Sequence, residues 1–305
     1  MDMNKWFSVF ALVGFFVYVS PAFAEMSSSN YQIQWDTVST GGSDTASSAN
    51  FSLKDTIGGL SNPASNSTNY QLTDGYRAST TDQVLSFNLL PQNNIDERVV
   101  TAKTGLTIST TATSSLSAGD YIVLVQDKGA NQVSAIGRIT SIASGSSVTV
   151  DNWSDNGTSP TIDGTNDFFY KLNGSAIAFG TLTSSTVSTS VIAFEVSANL
   201  AHGYVVQMMS HGGLTNGTHS ISDVVGGTVV AGTEGYGARS SDLTLSNSSF
   251  DTEDSAITTS FQDVATESSA KLNDRRFVTL KAAISPTTPN GTYTQTITFI
   301  ASGNF

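Results

Sequence analysis

Three histidines, His202, His211 and His219, lie close together in the chain, and imidazole is both the usual transition-metal ligand and the usual proton shuttle near neutral pH. Spacings of nine and eight residues put no two of them on one short strand, and Gly203, Gly212 and Asn216 beside them point to turns and strand ends. They are read as separate residues and not as a metal site. A second cluster, Asn152-Trp153-Ser154-Asp155-Asn156-Gly157 with Asp163, places oxygens at the first, third, fifth and twelfth positions around a sixth-position glycine, in the outline of a calcium loop. It has few carboxylates for a hard divalent cation, and Asp163 stands where a bidentate glutamate is usual. Asp120, Asp127, Asp163 and Asp167 are expected instead as turn residues on a solvated rim. For covalent chemistry, no Gly-x-Ser-x-Gly, phosphate loop, His-Glu-x-x-His or dinucleotide fingerprint occurs. Glycoside hydrolysis needs only two carboxylates across a cleft, and the nearest approach to a sugar-lining arrangement is Trp153 between Asp151 and Asp155. No catalytic, cofactor-binding or metal residue is assigned, no cofactor is expected, and the chain is read as not an enzyme.

The elements that position these side chains are strands. Short runs rich in Val, Ile, Thr, Tyr and Phe recur between Gly, Asn, Asp and Ser clusters, with almost no helical periodicity after the first two dozen residues. The fold class expected is all-β: an antiparallel β-sandwich with an inserted small barrel-like module and an N-terminal region of repeated strands. Four Asn-Gly pairs, at 156–157, 173–174, 216–217 and 290–291, are expected to supply turns with positive φ.

Composition narrows the partners. Asp plus Glu outnumber Lys plus Arg by 25 to 13, for a net charge of −12, and charged residues are only 12% of the 305. Such a surface repels nucleic acid and anionic lipid. The 38% of hydrophobic residues is enough for packed cores and excludes wholesale disorder. Lys5, the apolar run Trp6–Val19, Pro21 and Ala22-Phe23-Ala24 read as a secretory leader over residues 1–24, too short an apolar run to span a bilayer. After its removal no transmembrane anchor is expected. The chain has no cysteine, so stability must come from burial and strand pairing rather than disulfides.

Four regions follow. Residues 25–82 carry a repeat: Asn30-Tyr31-Gln32-Ile33, Asn50-Phe51-Ser52-Leu53 and Asn69-Tyr70-Gln71-Leu72, each followed by an aspartate turn at Asp36-Thr37-Val38, Asp55-Thr56-Ile57 or Asp74-Gly75-Tyr76. Tyr31, Trp35, Phe51, Tyr70 and Tyr76 form either a binding strip or, as favoured here, buried packing. Residues 99–172 read as the inserted module, with strands at Leu106–Ile108, Tyr121–Val125, Ala135–Ile139 and Val148–Val150; the unbroken run Tyr121–Val125 is its expected buried centre. Residues 83–98 and 173–305 make the sandwich. There Val84–Leu89 and Ile177–Leu182 are expected as adjacent strands, followed by Val191–Val196, Tyr204–Met208, His219–Ile221, Phe277–Ala282 and Tyr293–Ala301, the last half buried by its alternation.

The segments Phe179-Gly180-Thr181-Leu182, Gly203-Tyr204-x-Val206, Gly232-Thr233-Glu234-x-Tyr236-Gly237, Asn290-Gly291-Thr292-Tyr293 and Ile297-Thr298-Phe299 resemble bacterial secreted β-sandwich proteins of the WxL type. The resemblance covers about half the chain and implies a sandwich attached noncovalently to the cell wall. The closing Trp-x-Leu of that family is replaced here by Phe299-Ile300-Ala301. The expected function is therefore that of a secreted, noncatalytic envelope or surface protein with a structural, adhesive or wall-attachment role, its partners being cell-wall polysaccharide or other envelope proteins. The alternatives are a fibre or pilus-like subunit that self-associates by strand addition, and a carbohydrate-binding module.

Overall fold

The computed structural model describes residues 83–304 and, ahead of them, six short strands. The leader 1–24, the aromatic residues Tyr31, Trp35, Phe51, Tyr70 and Tyr76, and Phe305 lie outside the described residues. The chain divides into two units, Met1–Asp82 and Gln83–Phe305.

The first unit holds three antiparallel hairpins: β1 (Met26–Ser27) with β2 (Gln32–Ile33), β3 (Gly41–Ser47) with β4 (Ser52–Ile57), and β5 (Ser65–Asn66) with β6 (Gln71–Leu72). Their registers are equivalent. Gln32, Ser52 and Gln71 face Ser27, Ser47 and Asn66, and Ile33, Leu53 and Leu72 face Met26, Ala46 and Ser65. The repeat seen in sequence is thus a repeat of hairpins, with the motif's last two residues in the second strand of each. Asp55-Thr56-Ile57, expected as a turn, belongs to β4 and pairs with Gly41–Ser43.

In the second unit the module contains β8 (Arg98–Val99), β9 (Ala102–Thr104), β10 (Thr107–Ser109), β11 (Tyr121–Gln126), β12 (Val133–Ala143), β13 (Ser147–Val150), β14 (Ser154–Asp155) and β15 (Phe168–Lys171). They form one antiparallel sheet in the order β8-β15-β11-β12-β13-β10-β9, with β14 on β12. No ladder closes it into a barrel. Instead the chain itself crosses between its two ends, Val100 N–H donating to Asp167 and Thr101 N–H to Ser109. The sheet can curl because β12 slips register between Ile139 and Ser141, so its first half pairs with β11 and its second with β13. Gly137 sits inside this bend, where a Cβ would fall 2.8 Å from the Asn152 carbonyl and 2.9 Å from Val150. Ile108, Ile122, Leu124, Val148 and Phe169 fill the curl.

The sandwich pairs a four-stranded sheet, β18 (Gly235–Ser240), β20 (Lys271–Ala283), β16 (Ser188–Ala198) and β7 (Leu85–Pro91), with a three-stranded one, β19 (Gln262–Glu267), β17 (Tyr204–Ser210) and β21 (Ile297–Gly303). All ladders are antiparallel. Successive strand residues point to opposite faces; hence Ile192, Phe194, Val196 and Ala198 of β16 meet Tyr204, Val206 and Met208 of β17 between the sheets. Val191 and Ala193, on the other face, pack with Phe277 against Val123, Val125, Ile136 and Tyr170 of the module. A strand covered on both faces reads as an unbroken apolar run, as Val191–Val196 does.

Four sequence expectations are corrected. The neighbour of β7 is β16, whereas residues 177–182 form no strand and Gly180 turns with φ 71°. His219–Ile221 makes only the single bridge Thr215↔Ser220, and the final strand begins at Ile297, not Tyr293, with Thr294 bridging to Thr215 ahead of it. Of the four Asn-Gly pairs, only Gly157 and Gly217 have positive φ. Gly174 and Gly291 are required by close approach instead: a Cβ would lie 2.7 Å from the Gln92 carbonyl and 2.8 Å from Asn216 Nδ2, respectively. No helix among the described residues is long and apolar enough to cross a membrane.

Candidate functional site

A groove of about 700 Å³ lies at one end of the sandwich. It exists because residues 176–182 cross the end of the two sheets without pairing to either, while the chain entering β21 loops away through residues 288–296. Ile177, Phe179 and Leu182 come from the crossing segment, and Tyr236 from β18 supplies the floor. Phe179 meets Tyr236 edge-on, ring centroids 6.1 Å apart at 88°, the arrangement favoured by aromatic quadrupoles. The Tyr236 hydroxyl donates to Gln295 Oε1 at 2.6 Å, and Gln295 Nε2 donates to the Gly212 carbonyl at 2.7 Å. A buried phenol thereby fixes the amide that lines the groove, and burial, with the charge of Asp223, pushes the Tyr236 hydroxyl above its usual range.

Beside Thr288 on the rim, a carboxylate meets a histidine. Glu234 Oε1 lies 2.8 Å from His219 Nε2 and accepts from the Thr288 hydroxyl at 2.5 Å. The Thr288 hydrogen bond, more than the opposing desolvation, and then His219 hold this carboxyl below its ordinary range. His219 also stands edge-on to Tyr293, centroids 6.2 Å apart at 89°; Tyr293 donates its hydroxyl to the Pro289 carbonyl at 2.8 Å. Asn290, Thr292 and Thr294 complete an uncharged margin.

The histidines do not converge. His211 Nε2 meets the Thr298 hydroxyl at 2.8 Å on β21, His219 meets Glu234, and His202 lies on the turn before β17. A hydroxyl partner and a carboxylate partner thus fall on different rings, whereas a nucleophile-base-orienter relay needs both on one. Much of the calcium-like cluster is spent on other bonds, although Asn156 Oδ1, at its fifth position, receives none. Asn152 Oδ1 accepts from Arg275 at 2.8 Å, Asp155 Oδ1 from Gly157 N–H at 2.9 Å, and Asp163 Oδ1 from Thr165 N–H at 2.8 Å. Among the described residues no three His, Asp or Glu side chains gather as a metal site would require. Asp167 is not on a solvated rim: it is 1% exposed and accepts from the backbone N–H groups of Asp127, Asp163 and Gly164.

Sequence reasoning gave no sign of the contact that holds module and sandwich together. Arg275 of β20 donates both terminal nitrogens to Asp151 at 2.7 Å and its Nε to Glu195 at 2.8 Å, with Tyr121 donating its hydroxyl to the same Glu195. Its guanidinium also lies 5.3 Å from the centroid of the Tyr121 ring. These partners are 124 and 80 residues away in the chain, a separation at which no spacing pattern exists to be read. No protein-family model, curated protein or solved structure matches this chain.

Proposed function

We propose that this chain is an exported, noncatalytic surface or envelope protein with an adhesive or wall-attachment role, and that the sandwich-end groove holds an uncharged segment of glycan. The observation carrying this reading is the groove's lining: apolar and aromatic walls from Ile177, Phe179, Leu182 and Tyr293, with amide and hydroxyl groups at the margin. Sugars present C–H faces that pack on aromatic rings and hydroxyls that pair with amides. The Glu234 carboxylate behind the rim is taken up by His219 and Thr288, and the net charge of −12 disfavours polyanions. Export is supported by the leader-like residues 1–24 and the absence of cysteine. Calorimetric titration of the full chain with neutral wall-type oligosaccharides is expected to give binding that Tyr293→Ala weakens about tenfold, the loss of roughly 1.4 kcal/mol typical of one aromatic contact. No binding across the panel, an unaffected variant, or release of shortened sugars would refute the reading.

A second reading, self-association by strand addition, is favoured by the edges of the sandwich sheets. Edge strands β7 and β21 each have a single ladder neighbour among the described residues. Leu85 and Leu89, on the inward face of β7 with Phe87, remain 36% and 39% exposed, so a strand from a second copy would cover them. Light scattering at rising concentration should then show dimers or fibres that Leu89→Lys abolishes; a monomer throughout dismisses it.

A further inference from the structure

Where the module meets the sandwich there is a second, polar pocket of about 290 Å³, and it contains an arginine without a partner among the described residues. Its floor is the outward face of the four-stranded sheet: Arg239 of β18 beside Thr279 of β20, its register partner, with Lys281 one step along. Its wall is module, from Asn131 and Ser134 at the start of β12 to Asn156 in the turn after β14. Among the described residues the guanidinium of Arg239, half-buried, makes no hydrogen bond and no ion pair. The other described arginines are all engaged. Arg98, Arg275 and Arg276 pair with carboxylates, and Arg138 donates to the Gly119 carbonyl and lies over Tyr121. In a chain with 25 acidic and 13 basic side chains, a partly buried cation left without an anion is the anomaly to explain.

The neighbouring charges do not explain it. Lys281 is 7% exposed and its ammonium is taken up by Asp254, with Nζ 2.9 Å from Oδ1 and 3.2 Å from Oδ2, and by the Ala130 carbonyl at 3.1 Å. That pair is neutral, so Arg239 leaves the pocket with one net positive charge. Asn156 lines the same space, and its buried Oδ1 receives no hydrogen bond. The pocket therefore offers a planar five-donor fork, which matches a carboxylate, beside amide and hydroxyl side chains at Asn131, Ser134 and Asn156 that can pair with a sugar hydroxyl. Its volume is at the small end for ligand sites and suits one ring rather than a chain.

We infer that this junction pocket binds a carboxylated sugar ring of the uronic acid class, its carboxylate on Arg239 and a ring hydroxyl on Asn156. The site is separate from the sandwich-end groove and does not depend on it. Titrating the full chain with glucuronate while following the arginine Nε–Hε resonances by NMR should shift the Arg239 signal, glucose should not, and acetate should do so only at concentrations about tenfold higher. Arg239→Gln is expected to weaken glucuronate binding about tenfold or more, the effect of one charge-assisted hydrogen-bonded contact, while leaving the unfolding midpoint in place. Asn156→Ala should bring glucuronate down towards the affinity of acetate, and Tyr293→Ala should leave it unchanged. An unmoved Arg239 signal, equal binding of glucuronate, acetate and inorganic sulfate, or wild-type affinity in Arg239→Gln would overturn the assignment.

Discussion

Arg275 and Arg239 stand on adjacent strands of one sheet and face the same module, yet their surroundings differ completely. The Arg275 side chain is 6% exposed, with Asp151, Asn152 and Glu195 taking its donors and an aromatic ring beneath it. Arg239 has a pocket in front of it and no acceptor among the described residues. The difference teaches that this interface is cemented at one end and open at the other. Where the module supplies a carboxylate, arginine becomes structure; where it supplies only amides and hydroxyls, the guanidinium is left for something from outside. The cemented end is what makes the open end a defined shape, because the pocket's two walls belong to different bodies.

Removing the cement should have the largest effect. Arg275→Ala strands Asp151 and Glu195 without a counter-ion and is expected to cost about 3–4 kcal/mol in urea unfolding, the lower part of the range for a buried pair broken from one side because the Asp151 side chain is 35% exposed. Phe277→Ala tests the apolar half of the same junction, where the ring is 3% exposed among Val123, Ile136 and Tyr170; about 3 kcal/mol should be lost to burial and cavity together. Gly137→Ala strikes the bend of β12 instead, and overpacking against the Asn152 carbonyl should cost about 1–3 kcal/mol, visible as a lowered thermal midpoint.

Acid offers a gentler probe. Burial tends to raise the Asp151 carboxyl, but hydrogen bonds from Arg275 and from the backbone N–H groups of Arg138 and Asn152 outweigh it and hold the group below its usual 3.8. The unfolded chain therefore takes up this proton first. The stability contributed is complete above about pH 4 and is lost as pH falls through the lowered value. Unfolding midpoints between roughly pH 2 and 5 should show that loss in the native chain and a shallower one in Arg275→Ala. The smallest effect is reserved for Arg239→Gln, which should change stability by no more than about 0.5 kcal/mol. Equal penalties at the two arginines would erase the distinction between them.

Much of the fold was legible because burial writes itself into apolar runs. Tyr121–Val125 and Val191–Val196 are covered on both faces and were readable as strands at once. By contrast, β18 is Gly-Tyr-Gly-Ala-Arg-Ser and β19 is Gln-Asp-Val-Ala-Thr-Glu; neither alternates cleanly, and both are strands because neighbouring ladders make them so. Ile177–Leu182 misled in the opposite sense, its apolar side chains lining a groove rather than joining a sheet. Of the candidate site, the aromatic and amide residues were visible as residue types, and Phe179, Tyr236 and Tyr293 were even among the quoted motifs. Their convergence was not, since it depends on a crossing segment that no periodicity reveals. The histidines illustrate the converse: near in sequence, His211 and His219 are held apart by Thr298 of β21 and by Glu234 just ahead of β18.

The central claim, that the sandwich end binds neutral glycan without transforming it, is most directly tested by mapping amide shifts of the full chain during titration with an uncharged wall oligosaccharide. Shifts gathered on Phe179, Tyr293 and Gln295, with the sugar recovered intact, are the predicted result. Shifts confined to β7 and β21, no shifts, or cleaved sugar would contradict it.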